Sequence, residues 1–417
     1  MDEPFKQAQA DTRGDSVLAT AVAIWRDVAV GLLFYALTTL IVVIALRQPS
    51  QRNAQPGEGK PPETAGAPFY WDGEHYLEIA EKGYTYAPKS LSSVAYFPLY
   101  PLSGRWLARC TGIPLRSAMI VVAHCFLAGA FVFLSIYARG RALAGPSIAA
   151  RYAVLAFGVF PPTFFFRAAY TESSFLFLAV LAMLAMQRRW RPIFVAGIVG
   201  LATATRPVGV ALVPVFCLYV WKTSPIWRVI LARCLLVPVA MSGLLAYMTF
   251  QYFAFGDALA FAKTQDVWRF RPHSSAADKA IALACQEPLW TAYDSRSIAY
   301  WQRLEPNVSA EVNLAFANPV YFVLAVGLVI VGAGKRWLDL RETLLSALLI
   351  LIPYVTRAYE MCMLSEGRFV AAAFPIYLVM GHILARLPAP YAALLIGLFV
   401  LFLAIYSSQF ATGYMLI

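Results

Sequence analysis

Ala118-Met-Ile-Val-Val-Ala-His-Cys-Phe-Leu-Ala-Gly-Ala-Phe-Val-Phe-Leu-Ser-Ile-Tyr-Ala138 holds no Asp, Glu, Lys or Arg in 21 residues. A helix of about 20 apolar residues spans the hydrocarbon core of a bilayer. Arg139, Arg141 and Arg151 follow it, and then the chain turns apolar again. The pattern recurs outward from there, with Arg188, Arg189 and Arg191, then Lys222, Arg228 and Arg233, then Lys335, Arg336 and Arg341 between apolar runs. Basic residues in every second short connection are the positive-inside signature.

Composition agrees. The chain has 417 residues, of which 60% are hydrophobic and only 14% charged, and a mean hydropathy of +0.62. Soluble domains carry roughly a quarter charged residues. A soluble enzyme, a disordered regulator and a disulfide-stapled secreted module are therefore excluded. The net charge of +11 is a topology signal with membrane lipids as its partner. No basic, aromatic-interleaved patch stands apart from the short connections, so nucleic acid is not a partner.

The reading is an all-α polytopic membrane protein of about 11 transmembrane helices. The expected spans are 27–46, 118–138, 148–163, 169–187, 192–205, 207–221, 234–253, 316–334, 343–357, 368–387 and 389–411. Residues 1–26 form a cytoplasmic N-terminal segment, and 27–417 a single membrane domain. The run 27–46 is too long for a signal-peptide core and lacks a small-x-small site, so it reads as an uncleaved anchor. Two long segments, 47–117 and 254–315, then face outward and are expected to hold short helices. The first opens with a Pro/Gly-rich tether, and the second carries the formal sequon Asn307-Val308-Ser309. No internal repeat is visible. Cys125, Cys217 and Cys234 read as core residues, whereas Cys110, Cys285 and Cys362 fall in outer segments where a disulfide is an open option. With no CxxC, no HExxH and no phosphate loop, no cofactor or metal site is supported, and a divalent metal stays an unsupported option.

Five polar clusters fall on the outer side of this topology. The densest is Trp71-Asp72-Gly-Glu74-His75-Tyr76. A helix puts Asp72, His75 and Tyr76 on one face, where a carboxylate beside an imidazole suits general-base chemistry. Asp72 could equally be a helix N-cap. Ala95-Tyr-Phe97-Pro98-Leu99-Tyr100-Pro101 reads as an interfacial loop. Arg167, Tyr170 and Glu172 lie at or near membrane depth, where ionisable residues are costly and are either paired or functional. Arg206 stands alone in nearly uncharged sequence and needs an anion, either a carboxylate such as Glu172 or a phosphate. Glu360, Glu366 and Arg368 cluster at the outer end of the tenth span.

At these residues the sequence resembles the GPI mannosyltransferase II (PIG-V) family, in its prokaryotic branch. The likeness rests on Trp71-Asp72-Gly-Glu-His75-Tyr76 with Gly83-Tyr84, on Phe97-Pro98-Leu99-Tyr100-Pro101, on Tyr170-Thr-Glu172-Ser173, on Thr205-Arg206 with Gly209, and on Arg368-Phe369 with Phe374-Pro375. It implies a GT-C-like fold and, in the bacterial cytoplasmic membrane, an outward-facing site. It implies transfer of a sugar, in this family mannose, from a polyprenyl-phosphate donor to a lipid- or glycan-linked acceptor hydroxyl. Asp72 matches the family's loop aspartate, while Glu74 departs from the small polar residue expected there. On this reading Asp72, His75 and Glu74 are catalytic candidates. Arg206, Arg368, Arg167, Glu172, Tyr170, Trp71, Tyr76 and Tyr100 are donor-phosphate or substrate-binding candidates. The rival reading is a secondary transporter of a small polar solute, whose site should lie at the membrane midplane in broken helices; the short spans flanking Arg206 are its best support.

Overall fold

A computed structural model describes residues 3–47, 67–141, 147–222, 229, 231, 235–304 and 308–414. The expected tether, Arg228, Arg233, Cys234 and the sequon's Asn307 lie outside the described residues. Every regular element among the described residues is helical, and together with the apolar spans below this makes the chain an all-helical membrane protein.

Helices of nine residues or more are numbered here: α1 (Glu3–Leu46), α2 (Asp72–Lys82), α3 (Leu99–Thr111), α4 (Leu115–Gly140), α5 (Ser147–Val159), α6 (Glu172–Gln187), α7 (Pro192–Thr203), α8 (Leu212–Lys222), α9 (Ser242–Phe255), α10 (Ala276–Ala284), α11 (Leu314–Gly334), α12 (Leu340–Pro353), α13 (Pro375–Leu384) and α14 (Ala389–Ala411). α4 packs on α1, α3 and α6; α5 packs on α13; α1 also packs on α14. At the basic end of the bundle Arg139 pairs with Asp27, and Arg141 Nε lies 2.8 Å from Glu342 Oε1. Tyr137 donates to the same oxygen at 2.6 Å. Glu342 also closes a capping box with Asp339 that starts α12.

The helices fall where the apolar runs are; four match or exceed the expected spans, and several of the others are shorter or broken. Among the described residues four are long and apolar enough to span: Val22–Leu46, α4, α11 and α14. A fifth is the pair Ile148–Val159 and Pro161–Arg167, bent by 73°. Glu172–Gln187, Pro192–Thr203, Pro207–Lys222 and Pro375–Leu384 are shorter apolar helices. Eleven full-length spans are thus not what the helix lengths show. Proline is the reason: Pro161, Pro207, Pro353 and Pro375 stand at the breaks, each lacking an amide N–H for the helical ladder.

Two further expectations are corrected. Leu99-Tyr-Pro101 is the first turn of α3, which runs to a left-handed Gly112 (φ 74°), rather than an interfacial loop. The prolines sit at and just inside the start of this helix, where they are tolerated. The cysteines described (Cys110, Cys125, Cys217, Cys285 and Cys362) are all free, so no disulfide links the outer three, and Cys125 is exposed rather than in the core.

α7 and α9 approach through glycine. A Cβ on Gly243 would meet the Gly200 carbonyl oxygen and lie 2.5 Å from the Ala204 amide nitrogen. Small residues allow this close contact in membranes. It holds the end of α7 that leads to Arg206, as does the Leu244 amide, which donates to Thr203 Oγ1 at 3.2 Å. Gly243→Ala is expected to cost about 1–3 kcal/mol by overpacking, read as a lower melting temperature in detergent. Gly197→Ala in the same helix has open space around it and should leave the melt unchanged.

Candidate active site

The site forms where four separate segments meet. Trp71 takes φ 57°, a strained value for a non-glycine residue, and α2 starts immediately after it. Asp72 is the first helical residue, yet it makes no capping bond. Its carboxylate turns instead to Arg368, with Asp72 Oδ2 2.6 Å from Arg368 Nη1, and its Oδ1 accepts from the Tyr96 hydroxyl at 3.2 Å. Gly73 allows the fit, since a Cβ there would lie 3.2 Å from the Pro68 carbonyl and 3.4 Å from the Tyr170 ring.

Arg368 does not stop at Asp72. Its Nε donates to Glu172 Oε1. Arg206 Nη1 lies 2.7 Å from the same oxygen. Two carboxylates and two guanidinium groups therefore form one ladder, Asp72–Arg368–Glu172–Arg206. Aromatic faces enclose it: Arg368 lies 4.6 Å over Tyr170 and 5.2 Å over Phe165, and Arg206 lies 5.6 Å over Phe369. Such contacts are favourable when desolvated. Exposure separates the members. The Glu172 side chain is 0% exposed, both arginines 11%, and Asp72 29%. Asp72 is the ladder's open end.

Around Asp72 the charges are tuned. Burial pushes its carboxyl up, but Arg368, with smaller help from His75 and Tyr96, outweighs it and holds the group below the usual carboxylate range. Burial pushes His75 down, against the opposing pull of Asp72 and Glu78. Burial, reinforced by Asp72, pushes the Tyr96 hydroxyl well above its ordinary value, so Tyr96 is a donor to Asp72 at any neutral pH.

The structure brings Asp72, Arg368, Glu172, Arg206 and Tyr170 together, with His75, Tyr76 and Trp71 beside them. His75 does not bond Asp72. It stacks on Tyr96 at 4.7 Å, and Tyr96 makes the contact. Tyr76 is buried and shares a hydrogen bond with Thr171 at 3.1 Å. Tyr170 donates to the Tyr70 carbonyl at 2.9 Å, tying the stretch before α2 to the start of α6.

Three candidates lie elsewhere. Arg167 is not Glu172's partner: it donates to Thr38 Oγ1 at 2.7 Å and to the carbonyls of Thr163 (3.0 Å) and Gly158 (3.2 Å). The turn Pro161–Arg167 brings its guanidinium to these oxygens and away from the ladder. Tyr100 is fully buried and donates to the Met119 carbonyl at 3.1 Å, joining α3 to α4. Glu74 makes no contact with Asp72; one of its oxygens is buried without a hydrogen bond, and burial, eased by Arg116, raises its carboxyl. Tyr96 and Thr171 are contacts that the motif reading did not single out. Among the described residues no three His, Cys, Asp or Glu side chains gather as a metal site.

Comparison with known proteins places this geometry in context. The family model "Mannosyltransferase (PIG-V)" matches residues 64–294. GPI mannosyltransferase 2 of Drosophila pseudoobscura pseudoobscura is 30% identical over 126 residues, 28% of this chain and 27% of that protein. GPI alpha-1,6-mannosyltransferase 2 of Cricetulus griseus is 29% identical over 207 residues, 44% of this chain and 40% of that one. The matched stretch is thus well under half the length of these relatives. Among solved structures, the Archaeoglobus fulgidus oligosaccharyltransferase tethered with an acceptor peptide has a TM-score of 0.46 at 13% identity, covering 92% of this chain and 56% of that one. ArnT from Cupriavidus metallidurans bound to undecaprenyl phosphate has a TM-score of 0.46 at 13% identity, covering 91% and 75%.

The ladder predicts a stability signature. Glu172→Gln leaves two arginines facing each other without their shared carboxylate, and should cost about 3–5 kcal/mol. Glu172→Gln with Arg206→Gln leaves Asp72–Arg368 as a neutral pair and should recover most of the lost melting temperature. A double variant as unstable as the single would show that the ladder is not electrostatically closed.

Proposed function

Because the chain belongs to the PIG-V mannosyltransferase family, we propose that it transfers mannose from a polyprenyl-phosphate donor to a hydroxyl of a lipid- or glycan-linked acceptor, at an outward-facing site of the bacterial cytoplasmic membrane. The observation that carries this reading is the placement of Asp72, held below the usual carboxylate range and part-exposed, at the end of an arginine ladder that runs to Arg206, two residues from the wall of a large apolar cavity.

That cavity holds about 1110 Å³ and is lined by Ile79, Tyr84, Leu99, Phe126, Ala204 and Phe250 among others. Its lining is nearly all apolar, which suits a prenyl chain. Ala204 on its wall is two residues from Arg206, so a chain lying there would bring its phosphate to Arg206. In the reaction the acceptor oxygen attacks C1 of the sugar, its proton passes to Asp72, and the C1–O bond to phosphate breaks with the electron pair leaving on phosphate. Arg206 stabilises the charge that develops on the leaving group. Arg368 keeps Asp72 ionised and oriented. A single displacement of this kind inverts the anomeric centre.

Asp72→Asn keeps the size of the side chain and leaves Arg368 its contact with Glu172. It is expected to lower turnover of polyprenyl-phosphate mannose by about 10²–10⁴-fold in a protein that still melts normally. In the wild type, kcat/KM should hold as pH falls through the usual carboxylate range and drop only below it, because Arg368 depresses the Asp72 carboxyl. Near-normal turnover in the Asn variant rejects the base.

The orientation has its own test. A cysteine at Ser274, in a background without Cys110, Cys285 and Cys362, should label with an impermeant maleimide in intact cells. Labelling only after lysis would place the 256–313 segment, and the site with it, on the cytoplasmic side.

A further inference from the structure

Beyond the ladder, one cation near Asp72 has no carboxylate. Arg357 stands in the turn Tyr354–Ala358, which winds as a π-helix directly after Pro353. Such turns are rare and recur at functional sites. Its Nη1 donates to the Gln265 side-chain oxygen, its Nη2 lies 2.7 Å from Met361 Sδ, and its guanidinium sits 5.9 Å over the Trp268 ring. Trp268 packs edge-on to Tyr96 at 6.0 Å, and Tyr96 bonds Asp72. Arg357 therefore shares a wall with the proposed base, on the face formed by the 256–313 segment.

Three nearby acids pair with other cations. Asp266 pairs with Arg269 at 2.9 Å, Glu360 with Lys279 at 2.6 Å, and Asp72 with Arg368 at 2.6 Å. Glu366, in the connection between α12 and α13, is 1% exposed, and both its oxygens lack a hydrogen bond. Burial pushes that carboxyl up to about 8, against the opposing pull of Arg357. Among the described residues no Asp or Glu lies within ion-pair distance of Arg357. Arg357 is half-buried and makes no direct ion pair, so a ligand that brings an anion to it gains a charge-assisted contact. The backbone beyond it is strained as well, with positive φ at Cys362, Met363 and Ser365. Arg303 donates to the Cys362 carbonyl and Arg271 Nε to Cys362 Sγ at 3.4 Å, which holds this turn in place.

We propose that Arg357 is a second phosphate-binding position of the site, which takes the phosphate ester of a lipid-linked substrate on the side of Asp72 away from Arg206. This rests on the transferase reading. The phosphate ester belongs either to the acceptor headgroup or to the donor, and the two are separated by probes. Glycerophosphoglycerol stands for a headgroup phosphodiester, and farnesyl phosphate for a prenyl-linked phosphate.

Binding of each probe to the purified full chain in neutral detergent is the experiment. Arg357→Gln should weaken glycerophosphoglycerol about tenfold and leave farnesyl phosphate within twofold; Arg357→Lys should fall between, having charge without the planar fork. Loss confined to farnesyl phosphate would keep the position and assign it to the donor. Gln265→Ala removes the same structural contact but keeps the cation, so it should bind as wild type. Unchanged binding of both probes in Arg357→Gln, equal loss in Gln265→Ala, or no binding by the wild type would each overturn the proposal. A wild type that binds both probes but transfers no mannose would leave this position standing and overturn the transferase reading instead.

Discussion

Glu172 is the group on which the rest of the site depends. It is completely buried, and one of its oxygens meets both Arg206 and Arg368. In a low-dielectric interior an unpaired charge is far more costly than a paired one. Those two arginines come from distant segments, one after α7 and one before α13. Holding them on one carboxylate fixes α6, α7 and the 366–371 turn against each other. Arg368 then has a free edge, which it gives to Asp72. The position of the most exposed acid is set by the most buried one.

The same arrangement divides labour between the two carboxylates. Glu172 has no route to solvent, so it can only organise. Asp72 is reachable, ionised and backed by a hydroxyl donor in Tyr96. His75 supports the arrangement from one step further away, by stacking on that tyrosine. In the proposed reaction a base held below the usual carboxylate range is a weak one, which would place the burden of catalysis on orientation and on charge stabilisation at the leaving phosphate. The apolar cavity that reaches Ala204 would give that phosphate a direction of approach from the membrane.

Much of this was legible in the sequence. The apolar runs located the helices, and the cost of charge at membrane depth marked Arg206, Glu172 and Arg368 as groups that must find partners. The Trp71–Tyr76 motif located Asp72. What was not legible depended on geometry beyond local spacing. Arg167 read as either paired or functional, and the turn at Pro161–Arg167 points it at carbonyl oxygens and Thr38. Glu172 chose Arg368, 196 positions away. The two prolines around Leu99-Tyr100 read as a loop, whereas both are compatible with a helix start. The broken segments, such as 148–163 and 368–387, read as continuous spans because hydropathy continues through prolines that end a helix. Arg357 looked like the end of a span; a π-helical turn has no sequence signal, and only the fold shows that Asp266, Glu360 and Asp72 pair with other cations.

The central claim is that the Asp72–Arg368–Glu172–Arg206 ladder is the place where a sugar leaves a lipid phosphate. An experimental structure of the chain with a short-chain polyprenyl-phosphate mannose bound tests it most directly. The account predicts the prenyl chain in the cavity beside Leu99 and Ala204, the phosphate against Arg206, and C1 of the sugar between that phosphate and Asp72. A donor bound with its phosphate away from both Arg206 and Arg368, or with its sugar out of reach of Asp72, would contradict it.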